Sequence, residues 1–184
     1  MKDTHMNMKN ETHTTGQPAP SLNVLVIYDR LYSGIKAKDF CDRLTRQLQP
    51  ARELRLSFWS LSALHLPPLA RAAEEEANQT FLLLLAVDGE EMPSASVKSW
   101  LSRCLRGMRA NGGALVAQLH GILKMNLELS PAYRCLKHIA DGSGMDFFSQ
   151  VIEPAGEALD NSIESIHKRA HMRSPVLDAI LKLP

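Results

Sequence analysis

Neither sign of charge dominates this chain: 21 Lys and Arg stand against 20 Asp and Glu in 184 residues, a formal charge of +1. That balance leaves no electrostatic footprint for DNA, RNA or an anionic membrane, so neither nucleic acid nor membrane is an expected partner. Long apolar runs are also missing, and no stretch approaches the 18 or so continuous apolar residues of a membrane span. The opening MKDTHMNMKNETHTTGQPAP lacks the apolar core of a secretory signal. Cysteine is scarce and odd in number, and Cys41, Cys104 and Cys135 each fall within a helical pattern among apolar neighbours. Reduced, buried thiols fit that placement better than disulfides or a metal cluster, and a cytoplasmic location is expected. Seven histidines are scattered; only His167 and His171 stand at i, i+4, without a third ligand, so surface positions are expected for them.

What is present is a regular alternation. Residues 1–20 are polar and cannot bury enough apolar surface to offset the entropy of ordering, which predicts a disordered arm. From Ser21 onward, apolar runs recur about every 30 residues, the length of a βα unit: 22–28, 54–60, 81–87, 114–119 and 146–152. FLLLLAV is apolar throughout, as befits a central parallel strand covered on both faces. Between the runs lie helical stripes. One spans 35–48 through Ala37, Phe40, Cys41, Leu44 and Leu48; another spans 94–109 through Val97, Trp100, Leu101, Cys104, Leu105 and Met108. A weaker stripe covers 68–78, where Glu74, Glu75 and Glu76 read as a solvated face. Ser130-Pro131 opens a helix that stops at Asp141-Gly142, and a last amphipathic helix is expected over 155–170 through Leu159, Ile163 and Ile166.

Five strands alternating with helices predict an α/β, three-layer, doubly wound sandwich with a five-stranded parallel sheet of order 2-1-3-4-5. The expected domain covers 21–170, with a C-terminal extension at 171–184. The arm and the apolar Val176, Leu177, Ile180 and Leu181 are candidate contacts for a protein partner or a homodimer.

In such sheets ligands bind beyond the carboxyl ends of the strands, beside strands 1 and 3. Strand 1 delivers Asp29, Arg30, Tyr32, Ser33 and Gly34 to that edge, and strand 3 delivers Asp88 and Gly89; these seven are the candidate binding residues. Strand 4 delivers His120 and strand 5 delivers Glu153-Pro154. No nucleophile, base and orienting group assemble there, so no catalytic and no metal-ligating residue is assigned.

The acid after strand 1, the acid after strand 3 and the following Met92-Pro93 resemble a response-regulator receiver domain, over about residues 22–170 as topology and these positions only. The resemblance implies Asp88 as the phosphoacceptor and Asp29 as one of the Mg²⁺ acids. Tyr28 stands where a second acid belongs, Gln118-Leu119-His120 offers no hydroxyl, and Glu153 replaces the lysine before Pro154. A receiver-like regulatory or interaction domain without phosphoryl transfer is therefore expected, with no cofactor. LYSGIKA is also similar to the first loop of flavodoxin-like flavoproteins. That resemblance implies an FMN phosphate on Ser33 and Gly34 with Tyr32 stacking, although an ordinary helix N-cap at Ser33 explains the same residues.

Overall fold

The computed structural model describes residues 21–48 and 53–154. The expected arm at 1–20, the helix over 155–170, the extension at 171–184 and the pair His167/His171 lie outside the described residues. Five parallel strands run in the predicted order: β1 (Ser21–Tyr28), β2 (Glu53–Ser60), β3 (Leu82–Asp88), β4 (Ala114–His120) and β5 (Asp146–Ile152) lie as 2-1-3-4-5. Four α-helices connect them: α1 (Leu31–Leu48), α2 (Pro67–Ala77), α3 (Ala95–Met108) and α4 (Pro131–Ser143). Short 3₁₀ turns at Leu61–His65, Arg109–Asn111 and Lys124–Leu129 fill the remaining connections. This is the doubly wound α/β arrangement, with the topology of flavodoxin-like folds. Among the described residues no helix is long and apolar enough to cross a membrane.

The burial pattern explains the strand composition. Leu83 to Val87 of β3 and every residue of β4 are buried, because each of these strands is paired on both sides and lies under side chains on both faces. Leu25, Ile27, Leu83, Leu85, Leu115, Ala117 and Leu119 point to one face, where they pack against α2, α3 and α4. Val24, Val26, Leu84, Ala86 and Val116 point to the other, where Ala37 and Cys41 of α1 meet them. Trp100 sits in the larger core, 2 % exposed, and its indole N–H reaches the Ala70 carbonyl at 3.0 Å. All three cysteines are free, with Cys41 and Cys104 buried. Burial pushes the Cys104 thiol up to about 12, which makes it an inert core group.

Capping follows the sequence signals at two helices. Ser94 accepts the Val97 N–H at the start of α3, and Ser130, followed by Pro131, accepts the Tyr133 N–H at the start of α4. Two boundaries differ from expectation. The α4 helix continues through Asp141 and Gly142 to Ser143, and Gly144, at φ 65°, ends it in the left-handed conformation that glycine tolerates best. At the other end of the chain α1 starts at Leu31, four residues before the predicted 35. The apolar stripe of α1 begins only at Ala37, so periodicity could not show its first turn. The glutamates of α2 are also less solvated than their run suggested: Glu76 accepts the Trp59 indole N–H at 2.7 Å, and Glu74 pairs with Arg103 at 3.0 Å.

Register is what sets the functional edge. Tyr28 lies opposite Ala86, Asp88 opposite His120, and His120 opposite Ile152. The carboxyl ends of β1, β3, β4 and β5 therefore finish at nearly one level, and the residues that follow them converge.

Candidate functional site at the carboxyl edge of the sheet

Only Asp29 and Arg30 separate β1 from α1. The Asp29 N–H continues the ladder onto the Ala86 carbonyl at 3.1 Å, and its side chain then turns across to β3. One carboxylate oxygen accepts the Ser33 hydroxyl at 2.6 Å; the other accepts the Asp88 backbone N–H at 2.7 Å. Asp29 is thus a clamp between the start of α1 and the end of β3. Ser33 lies inside the first turn of α1, 2 % exposed and turned inward, so it is not the N-cap expected of it. Gly34 has a packing role: a Cβ there would stand 3.1 Å from the Tyr28 ring that α1 crosses.

Asp88 is engaged as well. One oxygen accepts the Glu90 N–H at 2.8 Å, and the other lies 3.3 Å from the Arg30 guanidinium, which also reaches Glu91 at 3.0 Å. The pair with Arg30 is exposed and of modest strength, yet it places a fixed cation beside the acid. Gly89 donates its N–H to the His120 carbonyl at 2.8 Å and accepts the Ser130 hydroxyl at 2.5 Å. A Cβ on Gly89 would come within 2.8 Å of the Ile122 side chain. Close packing of two loops requires glycine here, whether or not anything binds.

Most of the residues predicted from sequence do come together. Gly34 packs on Tyr28 and Gly89 lines a different cavity with Ile122 and Ser130, whereas Asp29, Arg30, Tyr32, Ser33 and Asp88 line a single cavity of about 380 Å³. Sequence reasoning placed His120 and Glu153 at the edge but gave them no role, and both line this cavity. His120 is 6 % exposed, its ring meets Tyr32 edge-on at 5.8 Å, and neither ring nitrogen has a hydrogen-bond partner among the described residues. Burial pushes the imidazole below its ordinary 6.5, a desolvation effect that outweighs the opposite pull of Asp29 and Asp88. Lys36 stands 5.5 Å over the Tyr32 ring. The Glu153 carboxylate accepts the Lys124 N–H at 3.0 Å, which ties the β4–α4 connection to the end of β5.

The receiver resemblance can be tested on these contacts. A Mg²⁺ ion needs several hard oxygens, and the edge offers the two acids Asp29 and Asp88, each of which also accepts hydrogen bonds within the protein. Among the described residues no group of three or more His, Cys, Asp or Glu could hold a metal ion. The donor set does not fit Mg²⁺. At the flavodoxin-like loop, only Asp29 and Arg30 separate β1 from α1, and the Ser33 hydroxyl donates to Asp29.

Neither the models of known families nor the curated proteins contain a match to this chain. The case for function therefore rests on the geometry of the edge.

Proposed function

We propose that this is a receiver-like regulatory or protein-interaction domain that works by contact rather than by phosphoryl transfer, with the carboxyl edge of the sheet as its contact surface. The carrying observation is where the exposed apolar side chains lie. Of the twelve large ones among the described residues, three sit at the start of α1: Leu31, Tyr32 and Ile35. Met92 follows β3, and Leu123, Met125 and Leu129 occupy the β4–α4 connection, with Met125 84 % and Leu129 76 % exposed. Leu66 and Leu69, around the start of α2, extend the same rim. Singly exposed apolar residues are ordinary, but their concentration on one edge is the signature of a surface that is covered in use.

The self-contained acid pair supports the second half of the proposal. Asp29 and Asp88 serve as ties between loops, and Arg30 supplies their positive charge from within the chain. A surface built in this way can be shaped and held without a bound ion.

The test compares partner capture by the full chain with capture by two variants that remain folded by circular dichroism. Met125→Glu/Leu129→Glu should lose the partners that wild type retains, while Phe148→Glu, at an exposed apolar position on β5 away from this edge, should keep them. A partner set unaffected by the edge variant, or equally disturbed by Phe148→Glu, refutes the assignment of the surface.

A further inference from the structure

We propose that the cavity between β1, β3 and β4 binds a small organic cation, one that presents a primary ammonium group on a short apolar body. His120 carries the argument. Its ring is 6 % exposed and lines the cavity, yet Nδ1 and Nε2 both lack partners among the described residues. Folded proteins pair nearly all such buried groups, with protein, with water or with a ligand. Its neighbours on the same face of β4 do not relieve it: the Gln118 amide donates to Gln150 at 3.2 Å, and its own oxygen is likewise without a partner.

Charge selects the ligand class. Asp29, Asp88 and Glu153 line the cavity as carboxylates, against the Arg30 guanidinium, which is committed to Asp88 and Glu91, and the Lys36 ammonium, which stands over Tyr32 and acts on His120 from outside the lining. Burial favours the neutral His120 ring, which offers a lone pair on one of its nitrogens to a donor. An anion would meet three carboxylates. The Tyr32 ring already carries the Lys36 ammonium over one face, so the ligand's ammonium is directed to His120 and the acids rather than to that face. Size and donor geometry decide between an organic cation and a bare metal. About 380 Å³ is far larger than one ion needs, and no metal-ligating group of three side chains forms among the described residues. Ile152, Pro154 and Tyr32 provide apolar wall for the body of the ligand. This inference does not depend on the contact surface proposed above.

The experiment is a titration of the full chain with 1,4-diaminobutane, followed by amide and imidazole ¹⁵N NMR, with butyrate and ZnCl₂ as parallel arms. Saturable shifts of the His120 ring nitrogens and of the Ser33, Gly89 and Gly121 amides are expected from the diamine and not from butyrate. His120→Phe should weaken that binding by at least about tenfold. Glu153→Gln keeps an acceptor oxygen for the Lys124 N–H while removing the charge, should weaken binding several-fold, and keeps the test valid if His120→Phe fails to fold. Absence of saturation across the millimolar range overturns the proposal and leaves water as the partner of His120. So do equal shifts with butyrate, undiminished binding in the folded variants, or His120 shifts produced by Zn²⁺ alone.

Discussion

Replacing Asp29 with alanine tests the reading of the edge most directly. Its carboxylate accepts two short hydrogen bonds, from Ser33 Oγ at 2.6 Å and from the Asp88 N–H at 2.7 Å. Hydrogen bonds to a charged group contribute roughly 1.5–3 kcal/mol each, and the two share one side chain and so do not add in full. Asp29→Ala should therefore destabilise the domain by about 2–4 kcal/mol. Asp29→Asn keeps one acceptor oxygen for the Asp88 N–H and turns an amide toward the Ser33 hydroxyl, so its loss should be smaller, about 1 kcal/mol. Asp88→Ala gives up the Glu90 N–H and an exposed ion pair, the latter worth at most about 1 kcal/mol, and should fall between wild type and Asp29→Ala. Urea unfolding of the full chain at neutral pH, compared at a common m value, measures all three. If the two acids were instead poised to repel one another until a cation arrived, neutralising Asp29 would relieve that repulsion and raise stability. Asp29→Ala or Asp29→Asn at or above wild-type stability refutes the clamp.

The other expectations concern the residues around it. Ser130→Ala removes both the α4 cap and the buried bond to the Gly89 carbonyl, and should lower stability by roughly 1–3 kcal/mol in the same urea assay. Gly89→Ala puts a Cβ 2.8 Å from Ile122 and should cost about 1–3 kcal/mol through overpacking, an effect that Ile122→Ala should partly rescue. The His120 imidazole, pushed below 6.5 by burial, is protonated less readily in the folded chain than in the unfolded one. Stability should therefore fall as pH drops below 6.5, and His120→Phe should flatten that slope; thermal unfolding across pH measures both. A slope that persists unchanged in His120→Phe assigns it to other groups.

Much of the fold was legible because the signals were redundant. All five strands are apolar runs spaced by helical stripes, and 2-1-3-4-5 is the common doubly wound order for five such strands. Boundaries were lost where pattern and chemistry diverge. The first turn of α1 carries Leu31, Tyr32 and Ile35 on the solvent side, so the amphipathic stripe that marks the rest of the helix is absent there. The seven candidate residues lie where the topology sends them, yet their roles depended on distances no spacing encodes. Ser33 four residues after Asp29 reads as a cap or a ligand group; only the structure shows it bonded back to that acid. His120 was hidden because a lone histidine ending a strand has no sequence signature, and its isolation appears only once Asp88 is known to lie opposite it.

The engaged acids and the apolar rim have a common physical reason. Apolar side chains as exposed as Met125 and Leu129 cannot order themselves by packing, so any definite shape of this edge must come from polar ties beneath them. Those ties are present in series: Asp29 joins α1 to β3, Ser130 joins α4 to Gly89, and Glu153 holds the Lys124 N–H. Each one spans two connections rather than stabilising a single turn. Asp29 and Glu153 thus fix the loops that carry the rim while still lining the cavity beside it. Cutting one tie should then loosen the contact surface before it unfolds the sheet. Hydrogen exchange on Asp29→Ala should show faster exchange at residues 89–92, with β3 and β4 still protected, and uniform acceleration throughout the sheet would contradict that division of labour.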